Sequence, residues 1–202
     1  MKNNLLNPYV KGLSDCARSE LHLDAKVKKT PSVEPDVGMF LEFFTRSMKP
    51  TSILELGCGI GVSSRYMSAG APNAQVTAVD YNKSRLEFAS ESCKDNKQIN
   101  FVLSDVIKFV REDKSTYDLI FIDSMKKQYP IVLYYALKRL NDGGVIIFDD
   151  VFMYGDIFKQ DCELPRKYLP VVLVLREFIN NIKQNYTHTL LPIGSGVLMV
   201  SK

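Results

Sequence analysis

Short apolar runs alternate with amphipathic segments through the middle of the chain, and this alternation predicts its secondary structure. Each run is nearly continuous, which is typical of strands in a parallel sheet that helices cover on both faces. The runs predict strands over residues 52–56, 74–80, 99–105, 117–123 and 144–150, and the segments between them predict helices over residues 62–69, 83–94, 105–113 and 127–140.

The N-terminal part of the chain is charged and predicts helices that lie on this core. Residues 17–29 are amphipathic and predict one or two helices. A loop with two prolines follows over residues 30–36, and Asp36 is placed to cap the next helix. That helix is predicted over residues 37–48, where apolar side chains recur with a helical period, and Pro50 ends it.

The C-terminal part departs from the alternation. Residues 165–184 predict a long amphipathic helix, and residues 187–193 and 196–202 predict two strands joined by a tight glycine-rich turn. With the earlier runs they predict an α/β fold whose seven-stranded, mostly parallel sheet ends in an antiparallel hairpin. We expect residues 1–202 to form a single domain, with residues 1–50 packing on it as a helical segment.

The composition is that of a folded protein, and we expect no membrane partner. The chain has 202 residues, 46% of them apolar, which is enough for a sizeable core. No apolar run reaches the ~18–20 residues of a membrane span, and the start of the chain lacks the apolar core of a signal peptide. We therefore expect a cytoplasmic protein. The net charge of +3 is compatible with an anionic partner such as RNA but does not argue for one.

The cysteines point to the same compartment. Cys16, Cys58, Cys93 and Cys162 are widely spaced and include no C-x-x-C pair. This spacing favours buried thiols in a reducing compartment over a disulfide framework or a zinc site.

The first strand of the alternation runs into a glycine-rich turn. Residues 52–63 have the sequence SILELGCGIGVS, in which Glu55 precedes Gly57, Gly59 and Gly61. Glycines between a strand and a helix allow the backbone to approach a ligand closely, and the helix N-terminus favours a negative group there. The turn therefore predicts a binding site.

The spacing and the acid indicate which ligand binds. A dinucleotide site requires G-x-G-x-x-G, whereas this chain has G-x-G-x-G followed by Val62. Glu55 would be unhelpful beside a pyrophosphate but would suit an ammonium group, and Ser63 with the helix N-terminus would suit a carboxylate. S-adenosylmethionine (SAM) carries both groups, so the turn predicts a SAM site.

Acids at the ends of the next two predicted strands extend this site. Asp80 is placed to accept both ribose hydroxyls. Asp105, with Ser104 beside it, is placed to meet the adenine amino group. The alternative is a strand–turn–helix corner in which the glycines serve only packing, and the acids in register favour the cofactor.

A second set of polar residues follows the last two parallel strands. The carboxylates of Asp123, Asp149 and Asp150 can converge on a hard divalent cation, which prefers oxygen ligands. Lys126 lies close enough to act as a base or to stabilise an oxyanion, and a base would need the depressed pKa of a desolvated lysine near a cation. Alternatively, Asp150 is a helix cap and Lys126 a solvated charge.

At these residues the chain resembles the cation-dependent O-methyltransferases, which include catechol and caffeoyl-CoA O-methyltransferases. The resemblance covers residues 31–202 and includes ILELGCGIGVSS, FID-x-x-K-x-x-Y, GGVIIFDDV with the later Tyr154-Gly155, LREFIN and LLPIGSGV. It implies the Rossmann-like class I methyltransferase fold, SAM, a divalent cation (Mg²⁺, with Mn²⁺ or Ca²⁺ as alternatives) and a homodimer.

The resemblance also implies roles for individual residues. It implies cofactor contacts at Glu55, Gly57, Ser63, Asp80, Ser104 and Asp105, metal ligands at Asp123, Asp149 and Asp150, and the catalytic lysine at Lys126. Gly59, Gly61 and Asp123 complete the expected cofactor-binding residues.

The chain departs from the family pattern at three places. Asp150 stands where an asparagine is usual, which keeps an oxygen ligand but adds a negative charge and leaves metal dependence open. Val62 stands where an aromatic residue is usual. The residues after Gly155 do not match the acceptor-binding segments of plant or mammalian members, so the acceptor is not identified.

Four functions follow, and we place them in order. The first is metal-assisted methyl transfer from SAM to a hydroxyl of a small phenolic or catechol-like acceptor. The second is the same chemistry on the wobble 5-hydroxyuridine of tRNA, since VEPDVGMFLEF, MKPTSILELG and FID-x-x-K-x-Q-Y resemble bacterial enzymes of that kind. Basic residues that could meet RNA are Lys26, Lys28, Lys29, Lys126, Lys127, Arg166 and Lys167. The third is non-catalytic SAM binding, and the fourth is a nicotinamide dehydrogenase, which the glycine spacing disfavours.

Overall fold

Seven strands pair into one mixed sheet in the computed structural model of the chain, which describes residues 19–202. In chain order they are β1 (Ser52–Leu56), β2 (Gln75–Asp80), β3 (Ile99–Leu103), β4 (Tyr117–Ile122), β5 (Leu140–Phe148), β6 (Thr187–Leu191) and β7 (Val197–Ser201). Their order across the sheet is β3-β2-β1-β4-β5-β7-β6. The first five are parallel, and β7 is antiparallel to both β5 and β6. The predicted seven-stranded sheet with a C-terminal antiparallel hairpin is confirmed.

Helices cover both faces of the sheet in the described residues. They are α1 (Ser19–Val27), α2 (Pro35–Met48), α3 (Val62–Gly70), α4 (Lys83–Ser92), α5 (Val106–Glu112), α6 (Tyr129–Arg139) and α7 (Leu169–Asn185). Short 3₁₀ turns lie over Lys126–Gln128, Met153–Phe158 and Asp161–Glu163. None of the helices that the structure describes is long and apolar enough to cross a membrane.

The core is divided into two layers by the alternation of side chains along each strand. In β1, Leu54 and Leu56 pack with α5, α6 and α7, whereas Ile53 packs with α1, α2, α3 and α4 on the opposite face. Because both faces are buried, the strands are apolar throughout. Glu55 belongs to the same face as Ile53, and this places its carboxyl group under α3.

The largest differences from the predicted elements lie at their ends. The helix predicted over residues 37–48 begins at Pro35 with Glu34 as its N-cap, so the prediction that Asp36 is the cap is wrong. Pro35 is favourable in the first turn because its missing N–H would be unpaired there in any case. Asp36 instead accepts hydrogen bonds from the N–H groups of Val37 and Gly194, each at 2.9 Å.

Further boundaries shift near the C-terminus of the sheet. The strand predicted over residues 144–150 spans Leu140–Phe148, which leaves Asp149 in the loop that follows it. The helix predicted over residues 165–184 begins at Leu169, because residues 165–168 form a turn before Pro170 in the first helical turn.

The described cysteines are free, as predicted, but they are not all buried. Cys58 and Cys93 are buried and Cys162 is exposed. Cys16 and the first two residues of the segment predicted as helical over residues 17–29 lie outside the described residues.

One carboxylate ties three strands together at the edge of the sheet opposite the site. Asp118 accepts hydrogen bonds from the backbone N–H groups of Thr51 and Ser52 and from the side chain of Asn141. Partial burial opposes its ionisation, but the hydrogen bonds from Asn141, Thr51 and Ser52 outweigh it and lower the pKa of Asp118 to about 2. These hydrogen bonds join β1, β4 and β5 near their N-terminal ends, at the opposite side of the sheet from the carboxyl ends.

Candidate functional site

A cavity of about 330 Å³ opens at the carboxyl ends of the parallel strands. This is the edge at which open α/β sheets bind ligands. The loops after all five parallel strands contribute to its wall, and so does the loop before α2. The wall residues include Pro31, Ser32, Gly57, Gly59, Asp80, Asp105, Asp123, Lys126, Asp150 and Tyr154.

The cavity brings together seven of the residues predicted from the sequence. Gly57, Gly59, Asp80, Asp105, Asp123, Lys126 and Asp150 line it. The other predicted residues lie behind its wall or beside it, and these are Glu55, Gly61, Ser63, Ser104 and Asp149.

The glycines of the turn have different surroundings. Gly57 has φ +101°, and a Cβ atom there would lie 2.1 Å from the carbonyl oxygen of Asp123. Gly59 has φ +55°, and a Cβ there would make ordinary van der Waals contacts at 3.7 Å with Pro31 and Thr30. Gly61, at φ +81°, is the N-cap of α3. Gly57 therefore allows two loops to pack, and Gly59 leaves room in the cavity wall.

Glu55 is completely buried behind the turn. The hydroxyls of Ser63 and Ser64, in the first turn of α3, each donate a hydrogen bond to one of its carboxyl oxygens. Burial raises the pKa of Glu55 to about 7, although these two hydrogen bonds lower it, and the nearby carboxylates of Asp123 and Asp80 add to the rise. The roles predicted for Glu55 and Ser63 toward SAM stay predictions, because in this arrangement the two side chains bond to each other.

Asp80 and Asp105 hold the backbone around the cavity. Asp80, which is 4% exposed, accepts hydrogen bonds from the N–H groups of Gly59 at 2.9 Å and Asn82 at 2.8 Å. Asp105 caps α5 by accepting from the N–H of Lys108 at 2.9 Å, and the Ser104 hydroxyl donates to the Asp105 carbonyl. A carboxylate has about four acceptor positions, so both acids keep acceptor capacity for a ligand in the cavity.

Lys126 lies between two carboxylates at the other end of the cavity. Its Nζ is 2.8 Å from Oδ1 of Asp123 and 3.3 Å from Oδ2 of Asp150. Burial alone would lower the pKa of Lys126, but Tyr129, Asp123 and Asp150 outweigh burial and hold that pKa well above its usual range. In this arrangement the lysine is an ammonium ion, and the depressed pKa expected for a lysine beside a divalent cation stays a prediction.

The other two predicted metal ligands, Asp149 and Asp150, have different surroundings. Asp149 is 2% exposed, and its Oδ1 accepts a hydrogen bond from the N–H of Asp150. Burial, with the charges of Asp123 and Asp150, raises the pKa of Asp149 well above its usual range. Burial also raises the pKa of Asp150, although Lys126 opposes the rise.

Asp123, Asp149 and Asp150 have the oxygen ligands that a hard cation prefers, but their side chains are not positioned around a common point. Among residues 19–202, no three His, Cys, Asp or Glu side chains are arranged to hold a metal ion. The donor set is nevertheless all oxygen, and its excess negative charge is already partly balanced by a cation, the Lys126 ammonium. A divalent ion beside Asp123 and Asp150, with Asp149 adjacent, agrees with that charge balance.

Several residues of the site were not predicted from the sequence. Ser64 donates the second hydrogen bond to Glu55, and its only signal is the second serine of the GVSS segment. Tyr129 is buried, and its hydroxyl donates to the carbonyl of Asp149 at 2.7 Å. Tyr154 lines the cavity and is 77% exposed. Both tyrosines belong to motifs of the family resemblance, but no local pattern indicates these positions, because the site brings together segments that are far apart in the sequence.

One hydroxyl in the cavity wall has no partner of its own. Ser124 lines the cavity beside Asp123, and its buried Oγ makes no hydrogen bond to any residue in the described part of the chain. A buried polar atom without a partner is costly, so this wall is better suited to a polar ligand than to an empty interior.

Comparisons with known sequences agree on one family. A family model described as O-methyltransferase matches residues 15–202. The chain is 28% identical over 142 residues to tapetum-specific methyltransferase 1 of Arabidopsis thaliana, an alignment that covers 66% of this chain and 60% of that protein. It is 29% identical over 181 residues to a caffeoyl-CoA O-methyltransferase of Populus kitakamiensis, covering 83% of this chain and 77% of that one. The chain thus spans less than two thirds of the Arabidopsis relative.

Solved structures agree on the fold. The SAH-bound methyltransferase PaMTH1 of Podospora anserina has a TM-score of 0.84 at 22% identity, covering 98% of this chain and 96% of that chain. The O-methyltransferase TomG of Streptomyces achromogenes, solved in complex with SAM, has a TM-score of 0.79 at 20% identity, covering 98% of this chain and 95% of that chain. At these identities the likeness shows a shared Rossmann-like methyltransferase architecture.

Proposed function

The chain belongs to the O-methyltransferase family, and on that premise we propose that it transfers a methyl group from SAM to a hydroxyl of a phenolic or catechol-like acceptor, assisted by a divalent cation. The membership confirms the resemblance predicted from the sequence. The observation that supports the proposal best is the single cavity in which the glycine turn, Asp80 and Asp105 face one end while Asp123, Lys126 and Asp150 face the other.

The end of the cavity at the glycine turn suits SAM. Asp80 can accept the ribose hydroxyls with the acceptor positions that Gly59 and Asn82 leave free, and Asp105 can accept from the adenine amino group. Glu55 places a carboxyl group directly behind the turn, where the ammonium of SAM would need one. The family neighbours that carry SAH or SAM share this fold. When bound, SAM supplies a methyl group on a positively charged sulfur.

The other end suits the acceptor hydroxyl. In the arrangement of the described residues, Asp123 and Asp150 hold the Lys126 ammonium at the cavity wall, where it can donate a hydrogen bond to an acceptor oxygen that develops negative charge. To act as a base, Lys126 would first have to lose a proton, because Asp123 and Asp150 stabilise its charged form. A cation such as Mg²⁺, with Mn²⁺ or Ca²⁺ as alternatives, held by Asp123, Asp149 and Asp150 would polarise the hydroxyl and lower its pKa.

The proposal predicts methyl transfer that depends on a divalent cation. With SAM and a 3,4-dihydroxyphenyl acceptor, we expect a methyl ether detectable by mass spectrometry, and at least a roughly tenfold loss of rate in EDTA that added Mg²⁺, Mn²⁺ or Ca²⁺ restores. SAM binding measured by calorimetry in EDTA is the control and should not change. Full activity in EDTA would remove the cation from the proposal. SAM binding without transfer to any acceptor would favour a non-catalytic role.

The alternative acceptor is tRNA carrying 5-hydroxyuridine at the wobble position. Its support is that exposed Lys26, Lys28 and Lys29 directly precede the loop whose Pro31 and Ser32 line the cavity. Phosphate binding by these lysines would make the rate fall steeply with salt. The same assay with tRNA from a strain that lacks the gene separates the two acceptors. An unchanged 5-methoxyuridine pool in that strain would count against tRNA.

The pKa of Glu55 predicts how SAM binding depends on pH. If the ammonium of SAM pairs with Glu55, the carboxyl must give up its proton, and its pKa of about 7 makes this costly at low pH. The affinity for SAM should therefore rise roughly tenfold from about pH 5.5 to pH 7, as measured by calorimetry. The Glu55→Gln variant, which keeps hydrogen-bonding groups for both serines, should bind more weakly and lose the dependence. An affinity that is flat over this range in the unmodified protein would place the ammonium elsewhere.

A further inference from the structure

The turn of the C-terminal hairpin lies directly behind the loop that follows β5. Three hydrogen bonds join them. The N–H of Val151 donates to the Gly196 carbonyl at 3.0 Å, and the N–H of Phe152 donates to the Ser195 carbonyl at 2.8 Å. The N–H of Tyr154 donates to the Ser195 hydroxyl at 2.5 Å. The loop that carries Asp150 and Tyr154 is therefore supported by a turn that itself lies outside the cavity wall.

This loop needs support because its backbone conformation is unfavourable. Asp150, Met153 and Tyr154 have φ values of +56°, +45° and +55°, in the left-handed region that residues with side chains rarely adopt. Such residues persist where the surrounding structure holds them. Ser195 is 4% exposed, and its hydroxyl accepts the backbone N–H of Tyr154 at the end of this stretch, whereas Asp149 accepts that of Asp150 at its start.

The hairpin turn is also bonded to the start of α2. The carboxylate of Asp36 accepts the N–H of Gly194 at 2.9 Å and the N–H of Val37 at 2.9 Å. Gly194 has φ +52°, and a Cβ there would lie 2.5 Å from Val37. Asp36 and Gly194 thus set the position from which Ser195 reaches Tyr154.

We propose that Ser195 is a positioning residue that acts through Tyr154 to set the affinity for the acceptor. This rests on the function proposed above. Tyr154 lies beside Asp150 and Lys126 at the cavity wall, and its exposed ring offers a flat face to an aromatic acceptor. Neither Ser195 nor Asp36 lines the cavity. The hydrogen bond from the Tyr154 N–H to Ser195 keeps that face in place.

The Ser195→Ala variant tests this in two independent ways. Hydrogen exchange at the Tyr154 amide should become about tenfold faster or more, because its acceptor is gone. The KM for catechol should rise about five- to tenfold, the change expected for one lost hydrogen bond, while the Kd for SAM stays within about twofold. Ser201→Ala, which removes a hydroxyl from the same hairpin in β7, is the matched control and should change neither quantity.

Three further variants, Ser195→Thr, Tyr154→Ala and the double alanine substitution, show whether Ser195 acts through Tyr154. Ser195→Thr keeps the hydroxyl and should restore slow exchange and a low KM, and Ser195→Ala should add nothing to the KM of Tyr154→Ala. An unchanged KM or unchanged exchange in Ser195→Ala would overturn the proposal, as would additive effects of the two alanine substitutions. If the unmodified protein methylates no phenol but the Tyr154 amide exchanges faster in Ser195→Ala, the support for the loop stands and the proposed acceptor class fails.

Discussion

Replacing Lys126 by methionine is expected to lower kcat for methyl transfer about a thousandfold, a typical loss for one acid–base or charge-stabilising group. Methionine has a similar length and no charge, so Asp123 and Asp150 lose their common partner and the acceptor oxygen loses its neighbouring ammonium. The affinity for SAM should change by less than about threefold. Single-turnover rates and calorimetry measure the two quantities separately. Lys127→Met, at the exposed neighbouring residue, is the control.

The Lys126→Arg variant then separates the two roles of this lysine. Arginine remains charged at any working pH, so it can stabilise an oxyanion but cannot act as a base. Partial activity in Lys126→Arg would support stabilisation of the oxyanion by a charged side chain at this position. Activity as low as that of Lys126→Met would support proton removal by Lys126. Near-normal activity in Lys126→Met would exclude both roles.

Gly57→Ala should be far more damaging to folding than Gly59→Ala, although the two glycines belong to the same turn. At Gly57 the new Cβ would overlap the carbonyl of Asp123, with only 2.1 Å between the atoms, and the backbone has φ +101°. We expect a loss of more than about 4 kcal/mol in the free energy of unfolding. At Gly59 the new Cβ would make only ordinary contacts, at 3.7 Å, and φ is +55°, so the loss should be about 1–2 kcal/mol.

Chemical denaturation measures the free energy of unfolding of the two variants. If Gly57→Ala is too unstable to purify, the soluble fractions of the two variants on expression are compared instead. The Gly59→Ala variant should fold and should still lose affinity for SAM, because its methyl group enters the cavity wall. Equal stability of the two variants would mean that the loops after β1 and β4 can separate without cost.

The fold could be predicted from the sequence because local signals agreed with one another. The apolar runs are long enough to show strands buried on both faces, and the acids after them mark one edge of the sheet. The ends of the elements were less certain. Asp36 has the character of a helix cap, but the structure uses its carboxylate to hold Gly194, which is 158 positions away.

Only part of the composition of the candidate site was predictable from the sequence, and the charge balance around Lys126 was not. The spacing of Asp123 and Lys126 indicates proximity, since one turn separates them. The sign of the Lys126 pKa shift depends also on Asp150 and Tyr129, which come from another loop and from α6. The surroundings of Glu55 were likewise not predictable. Glu55 lies on the same face of β1 as Ile53, and this places its carboxyl group under α3, between Ser63 and Ser64.

The order of strands across the sheet has a consequence for how the chain is made. β7 lies between β5 and β6, although it is synthesised after both. The glycine turn, Asp80 and Asp105 all precede β4, so a ribosome completes the end of the cavity at the glycine turn long before it reaches β7. Until then the edge of β5 has no partner, and an open strand edge is prone to wrong pairing. A nascent chain therefore passes through a stage in which the end of the site at the glycine turn can form, while the loop that carries Asp150 still lacks the support of the hairpin.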